Sequence, residues 1–252
     1  MKRHVLTAWL LLGVLAVAIR GQDDRDIADI KAEDLRAGND ANQRYFLIPP
    51  RAKTPPSKGY ALLLVLPGGD GGEGFLPFVK RIARHGVPDD VIVAELVPPK
   101  WTPDQRIVWP TARVKAENME FPTEEFAKNV IAEVKKKHKI DSTRVWTLSW
   151  SSGGPAAYAI SLTLPEVKGS FIAMSIFRPA DLPPLGKAKG HAYYILHSPE
   201  DEVCKFAIAE EAKATLRKHG ARTELVTYEG GHGWTLPVYP AIQKGIAWMS
   251  GK

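Results

Sequence analysis

A single cysteine, Cys204, occurs among 252 residues, so an intrachain disulfide is excluded. Flanked by apolar residues, Cys204 reads as a buried structural thiol, because free cysteine packs as a small hydrophobe. Repeats and low-complexity tracts are also missing, which argues against a solenoid and against a compositionally disordered chain. Only one apolar run is long, Val5 to Ile19, and it falls short of the roughly 20 residues that a membrane span needs. Lys2-Arg3 precede it and the small residues Ala16-Val17-Ala18 close it, so residues 1–21 are expected to be a secretory signal. The run is compatible with cleavage and with retention as an anchor, and no cysteine near it suits a lipoprotein signal. After cleavage, no stable membrane insertion is expected, and the protein would be secreted or periplasmic.

Charge of one sign is not in large excess either. The net charge is +6, and Lys2, Arg3 and Arg20 leave with the signal, which reduces it to +3. Basic residues are spread along the chain, and the densest group, Lys135-Lys136-Lys137-His138-Lys139, suits a helix C-terminus facing solvent. A nucleic-acid partner is therefore not expected.

What the chain does have is 44% apolar and 25% charged residues, the balance of an ordinary globular protein with a large core. Residues 22–43 are polar and read as an exposed leader, partly helical at most, ahead of a single α/β domain over 44–252. Strands are expected at Arg44–Ile48, Tyr60–Leu66, Val91–Val97, Val145–Leu148, Gly169–Met174, Ala192–Leu196 and Thr223–Thr227. Helices are expected at Phe75–His85, Thr123–His138 with Thr123 as N-cap, Pro155–Leu164, Ala207–His219 and Pro237–Met249. This alternation predicts right-handed crossovers and a mostly parallel central sheet with helices on both faces. No element is evident over 98–121, which carries Trp101, Trp109, Arg106 and Arg113.

Chemistry concentrates where the third of these strand-to-helix steps passes through Leu148-Ser-Trp-Ser-Ser-Gly-Gly154. Strand, tight turn and helix make a nucleophile elbow, which leaves no room for bulk two residues either side of its serine. Ser151 is flanked at that spacing by Ser149 and Gly153. Ser152 would be flanked by Trp150, and a Ser149 turn would begin inside the strand. Ser151 is thus the candidate nucleophile, in S-x-S-x-G rather than G-x-S-x-G. An elbow requires an acid and then a histidine downstream. Glu200, Asp201 and Glu202 lie on the loop after one strand, and the short side chain of Asp201 is best suited to hold an imidazole in one tautomer. Gly230-Gly231-His232-Gly233 follows the last strand, and His232 alone of the seven histidines has this position. Upstream, Leu66-Pro67-Gly68-Gly69-Asp70-Gly71-Gly72 can turn backbone N–H groups toward an oxyanion. The expected donors are the amides of Gly69 and Ser152. A phosphate loop would continue Gly-Lys-Ser/Thr, and this one does not.

The order oxyanion loop, Ser, Asp, His is that of the α/β-hydrolases. Over about Tyr60 to Trp248 the chain resembles the predicted-esterase branch of that superfamily. This branch includes phospholipase/carboxylesterase, dienelactone-hydrolase-like and polyhydroxybutyrate-depolymerase-like enzymes. Lys139-Ile-Asp-Ser-Thr-Arg144-Val145 is similar to their "IDpdRvy" lead-in. His197-Ser-Pro-Glu-Asp201-Glu-Val203 is similar to their "HGxxDxxV" acid loop, and Leu66-Pro67-Gly68-Gly69 to their "LHG" turn. Pro67, Ser149 and Ser198 depart from the pattern without removing Ser151, Asp201 or His232. The resemblance implies an α/β-hydrolase fold without a large cap domain. It also implies hydrolysis of a small-molecule or carbohydrate-linked ester, with no metal or cofactor required. Trp101, Trp109 and Trp150 are candidate substrate-binding residues, although packing of the loop onto the core is an equal reading of the first two. A non-catalytic binding protein on the same scaffold and a serine peptidase of the same fold are the alternatives.

Overall fold

A computed structural model describes residues 24–251; the expected signal at 1–21 lies outside the described residues. The run Tyr60 to Leu66 has no polar side to offer water, and all seven residues are buried as a strand. In chain order the strands are β1 (Glu33–Arg36), β2 (Arg44–Ile48), β3 (Tyr60–Leu66), β4 (Val91–Leu96), β5 (Ile140–Trp150), β6 (Gly169–Ala173), β7 (Ala192–His197) and β8 (Arg222–Thr227). They form one sheet in the order β1-β2-β4-β3-β5-β6-β7-β8. Strands β3 to β8 run parallel, whereas β2 is antiparallel to both of its neighbours.

The helices are α1 (Leu76–Arg81), α2 (Thr123–Lys137), α3 (Gly154–Thr163), α4 (Phe206–Lys218) and α5 (Val238–Met249). Val79 of α1 with Ile242 and Ile246 of α5 covers one face, against Leu63, Val65, Val93 and Phe171. On the other face, Phe126, Val130 and Ile131 of α2 and Ile160 of α3 cover Leu62, Leu64 and Ile92. Helix α4 extends this layer with Ala209, Ala212 and Leu216 against Tyr193 and Ile195. Burial on both faces is why these strands read as continuous apolar runs rather than alternating ones. From β3 the chain passes to β4 on one side and later to β5 on the other. This reversal is a topological switch point, and open α/β sheets bind ligands outside the carboxyl ends of the strands at such a point.

Four expectations need correction. Strand β5 starts at Ile140, well before the expected Val145, because the lead-in is itself a clamp. Asp141 accepts from the N–H and hydroxyl of Thr143, and Arg144 reaches Asp141, Asp90 and the Gly59 carbonyl. The starts of β3, β4 and β5 are thereby tied together. The helix expected at 75–85 is instead a short 3-10 turn, α1 and a wide π turn at Ile82–Gly86. The carbonyls of Ala83 and His85 there accept from the side chains of Arg51 and Gln243. Thr123 is not the N-cap of α2. Pro122 occupies that place, and the buried Thr123 hydroxyl donates to the Pro110 carbonyl at 2.6 Å.

Residues 24–43 likewise add more than the polar leader expected of them. They place Ile27 and Ala37 in the interior and supply β1 as an edge strand. The Arg81 side chain, only 5% exposed, donates to Asp24 and Asp26 at 2.8–2.9 Å, and Arg84 pairs with Asp29. Both Arg81 partners are partly exposed and can rehydrate. Arg81→Met is therefore expected to cost only about 1–2 kcal/mol. The measurable consequences are a drop of a few degrees in Tm and faster proteolytic cleavage ahead of Glu33.

Candidate active site

Strand β5 ends at Trp150, and Ser151 follows with φ +48°. Non-glycine residues rarely adopt this left-handed backbone, and holding one there costs on the order of 1–3 kcal/mol. The surroundings enforce it. A Cβ on Gly153 would lie 2.2 Å from the Leu66 carbonyl oxygen, so only glycine lets the turn close against β3. The Ser175 hydroxyl donates to the Ser151 carbonyl at 2.6 Å and holds the strained peptide. The rejected serines have other surroundings. Ser149 is fully buried in β5, and its hydroxyl has no partner among the described residues. The Ser152 hydroxyl donates to the Gly69 carbonyl at 2.9 Å.

The structure brings Ser151, His232 and Asp201 into one hydrogen-bonded chain. Ser151 Oγ is 3.1 Å from His232 Nε2, and His232 Nδ1 is 2.8 Å from Asp201 Oδ2. A carboxylate only accepts, so Nδ1 carries the ring proton and Nε2 turns its lone pair to the serine. The Asp201 side chain is wholly buried, and its other oxygen accepts the N–H groups of Val203 and Cys204 at 2.9 and 2.7 Å. This arrangement can remove a proton from the serine hydroxyl while the carboxylate stabilises the imidazolium that results.

The loops carrying the acid and the histidine are stitched together by residues whose structural role is not evident in the sequence. Ser198, which stands where the family pattern has glycine, accepts the Gly231 N–H at 3.1 Å. Glu200, one of the three competing carboxylates, accepts the Gly230 N–H at 2.8 Å. The Tyr228 hydroxyl donates to the Gly231 carbonyl at 3.1 Å, and burial pushes this phenol up to about 12, so it serves as a neutral donor. His197, read as a satisfied polar residue, is buried with Nε2 2.7 Å from the Cys204 carbonyl, while its Nδ1 has no partner among the described residues. Counted from Asp201, the last position of the acid-loop pattern is Cys204 rather than Val203. Cys204 is buried, whereas Val203 is 67% exposed. Burial, reinforced by the charge of Asp201, pushes the Cys204 thiol up to about 11, so that it stays protonated at neutral pH.

Upstream, Gly69 adopts φ +60°, and among the described residues its amide donates to no backbone carbonyl. Two of the three tryptophans expected at the substrate, Trp109 and Trp150, are enclosed by the protein. Trp109 is buried, and its indole N–H donates to the Pro67 carbonyl at 2.9 Å, which pins the glycine-rich turn. Trp101 packs edge-on against Phe121. Trp150 is buried among Phe75, Phe78 and Trp234. These rings fill the space between residues 98–121, the sheet and the loops, because large apolar area is more stable inside than lining water. The Gln105 amide serves the carbonyls of Pro99 and Ile107 and lets 98–121 fold back without regular structure. Phe75 and Trp234 are the partly buried rings beside the site. Phe75 comes within 3.4 Å of where a Cβ on Gly69 would stand. Their places just after the glycine-rich turn and just after His232 were the available signal.

No family model matches this sequence, and no curated protein does. Solved structures do. A thermostable esterase superposes with a TM-score of 0.66 at 20% identity, over 88% of this chain and 63% of its own. A carboxylesterase from Mesorhizobium loti gives 0.65 at 17% identity, over 88% of this chain and 99% of its own. Esterase 2 of Thermogutta terrifontis, phosphorylated by paraoxon, gives 0.59 at 16% identity, over 88% and 92%. The chain thus spans less than two thirds of the first of these proteins and nearly all of the other two. With the mostly parallel eight-stranded sheet and its helical layers, the likeness establishes that this chain has the α/β-hydrolase fold.

Proposed function

We propose that the protein is a serine hydrolase that cleaves carboxylic esters through an acyl-enzyme. Ser151 attacks the ester carbonyl, and His232 takes its proton and returns it to the leaving alcohol. Asp201 holds His232 in the productive tautomer throughout. The amides of Gly69 and Ser152 stabilise the tetrahedral oxyanion, and the same histidine then activates water to release the acid. The observation that carries this reading is the unbroken chain of 3.1 and 2.8 Å contacts from Ser151 to Asp201. Those distances also count against a non-catalytic scaffold, in which the three groups would stand apart. The esterase neighbours, one of them in a paraoxon adduct, support the same chemistry.

The test is stoichiometric inactivation by paraoxon with the adduct mapped by mass spectrometry, alongside a panel of p-nitrophenyl esters, acetylated sugars, feruloyl esters and peptides. Hydrolysis of esters with phosphorylation at Ser151 is expected. Cleavage of peptides alone would select the peptidase alternative, and inertness toward every substrate with no adduct would defeat the proposal. We assign residues 1–21 as the secretory signal, to be checked by the N-terminal sequence of exported protein. Among the described residues no helix is long and apolar enough to cross a membrane.

A smaller effect is expected from residues 98–121. Trp109→Phe keeps the ring but removes the donor to Pro67, which loosens the turn that presents Gly69. Removing an oxyanion donor outright costs about 10²- to 10³-fold in kcat. Loosening its support should cost roughly tenfold, read in kcat with KM little changed.

A further inference from the structure

Cys204 is placed where the chemistry assigned to Ser151 has no use for a thiol. Its sulfur, a carboxylate oxygen of Asp201 and a ring nitrogen of His232 all lie within 4.8 Å of one another. Among the described residues this is the one group of three such side chains that does so. Sulfur, nitrogen and oxygen ligands sit about 2.0–2.3 Å from zinc in a tetrahedron, so they stand roughly 3.3–3.8 Å apart. The three donors can reach that spacing by moving about an ångström. Their chemistry also selects among cations. Thiolate and imidazole suit Zn²⁺, Cd²⁺ and Co²⁺, whereas Mg²⁺ and Ca²⁺ prefer oxygen.

We propose that Cys204, Asp201 and His232 form a binding site for a thiophilic divalent cation, Zn²⁺ foremost, and that its occupation switches the hydrolase off. Thiolate and carboxylate balance the charge of the ion, the imidazole adds a neutral nitrogen, and a water completes the tetrahedron. The thiol proton leaves to solvent as the sulfur–metal bond forms. If the metal takes Nδ1, the ring proton moves to Nε2, and Ser151 then faces a donor instead of a base. If it takes Nε2, the ion stands between the ring and Ser151 Oγ. In both cases His232 accepts no proton from the serine. The inhibitory half of the proposal rests on the esterase reading, and the binding half does not.

Binding is tested with Co²⁺ as a spectroscopic probe, on the wild type and on Ser151→Ala. One ion per chain is expected in each, with a near-ultraviolet thiolate-to-cobalt band that Zn²⁺ displaces and Mg²⁺ does not. The band must vanish in Cys204→Ala and in the volume-keeping Cys204→Val, with circular dichroism confirming that each is folded. Inhibition is then read as the Zn²⁺ concentration that halves ester hydrolysis, each variant referred to its own metal-free rate. Loss of even an outer-shell partner of a metal costs about 10- to 100-fold in affinity, so that concentration should rise at least about tenfold without Cys204. Absence of the thiolate band in the wild type, or equal zinc sensitivity in both Cys204 variants, would overturn the proposal. A protein that shows the band yet hydrolyses no ester would instead overturn the esterase reading and leave the metal site standing.

Discussion

Ser151→Ala is expected to lower kcat for short p-nitrophenyl esters by about 10⁴- to 10⁶-fold and to leave the fold intact. The size follows from what the hydroxyl does. Without it no acyl-enzyme forms, and His232 can at best activate water while the oxyanion donors still act. Residual catalysis of that kind is about 10³- to 10⁴-fold over the uncatalysed rate. His232→Ala should be nearly as damaging, and the double variant scarcely worse than either single one, because the two groups act as a unit. The fold should survive because alanine fits the same strained φ of +48° and no buried partner is orphaned. The Ser151 hydroxyl is bonded to His232, which is itself partly exposed to water. A residual rate above about a hundredth of wild type, in protein freed of contaminating esterase by active-site titration, would place the nucleophile elsewhere. Ser152 would be the weak substitute, since its hydroxyl is committed to the Gly69 carbonyl.

Ser151, Asp201 and His232 were legible in the sequence because each is constrained by something local and by order. The elbow demands small neighbours, which eliminated Ser152 beside Trp150. Asp201 and His232 follow separate strands, and the strands announced themselves by apolar runs that helices cover on both faces. What was not legible depends on partners far apart in the chain. Asp26 reads as one more charge in a polar leader until Arg81 is found buried beneath it. Ser198 looks like a departure from a glycine pattern until its hydroxyl is found holding Gly231. Tryptophans beside a catalytic loop can wall a pocket or plug a core, and composition does not separate these. The Trp109 bond to Pro67 and the burial of Trp150 favour the core reading for those two. Asp141 and Arg144 stood in the lead-in with no structural role evident, and only the reach of Arg144 to Asp90 and Gly59 shows why β5 begins there.

Replacing Glu95 is expected to flatten the pH dependence of stability and to raise stability by several kcal/mol in mildly alkaline solution. Glu95 lies in β4, paired with Val65 and Phe46, and shares its face of the sheet with Val93. It is fully buried, and neither carboxylate oxygen has a hydrogen-bond partner among the described residues. Burial pushes its carboxyl up to about 9, so the folded protein holds it as a neutral acid at pH 7. The unfolded chain releases that proton near pH 4.3, the ordinary value for glutamate. Between those two values the folded state binds the extra proton, so stability falls as pH rises, by about 1.4 kcal/mol per unit. The contribution is complete below the unfolded value, and its loss ends once pH passes the folded one. Glu95→Gln removes the titration but leaves a buried amide without partners, whereas Glu95→Leu removes both burdens. Urea unfolding at about pH 5, 6.5 and 8 should therefore show the advantage of the leucine variant over wild type growing steadily with pH. The glutamine variant should run parallel to the leucine variant at lower stability. If the wild-type and leucine curves run parallel instead, Glu95 is not carrying the proton. Strand β4 lies beside β3, which leads into the glycine-rich turn, so alkaline loss of activity in the wild type should follow this unfolding. In Glu95→Leu the loss should move to higher pH.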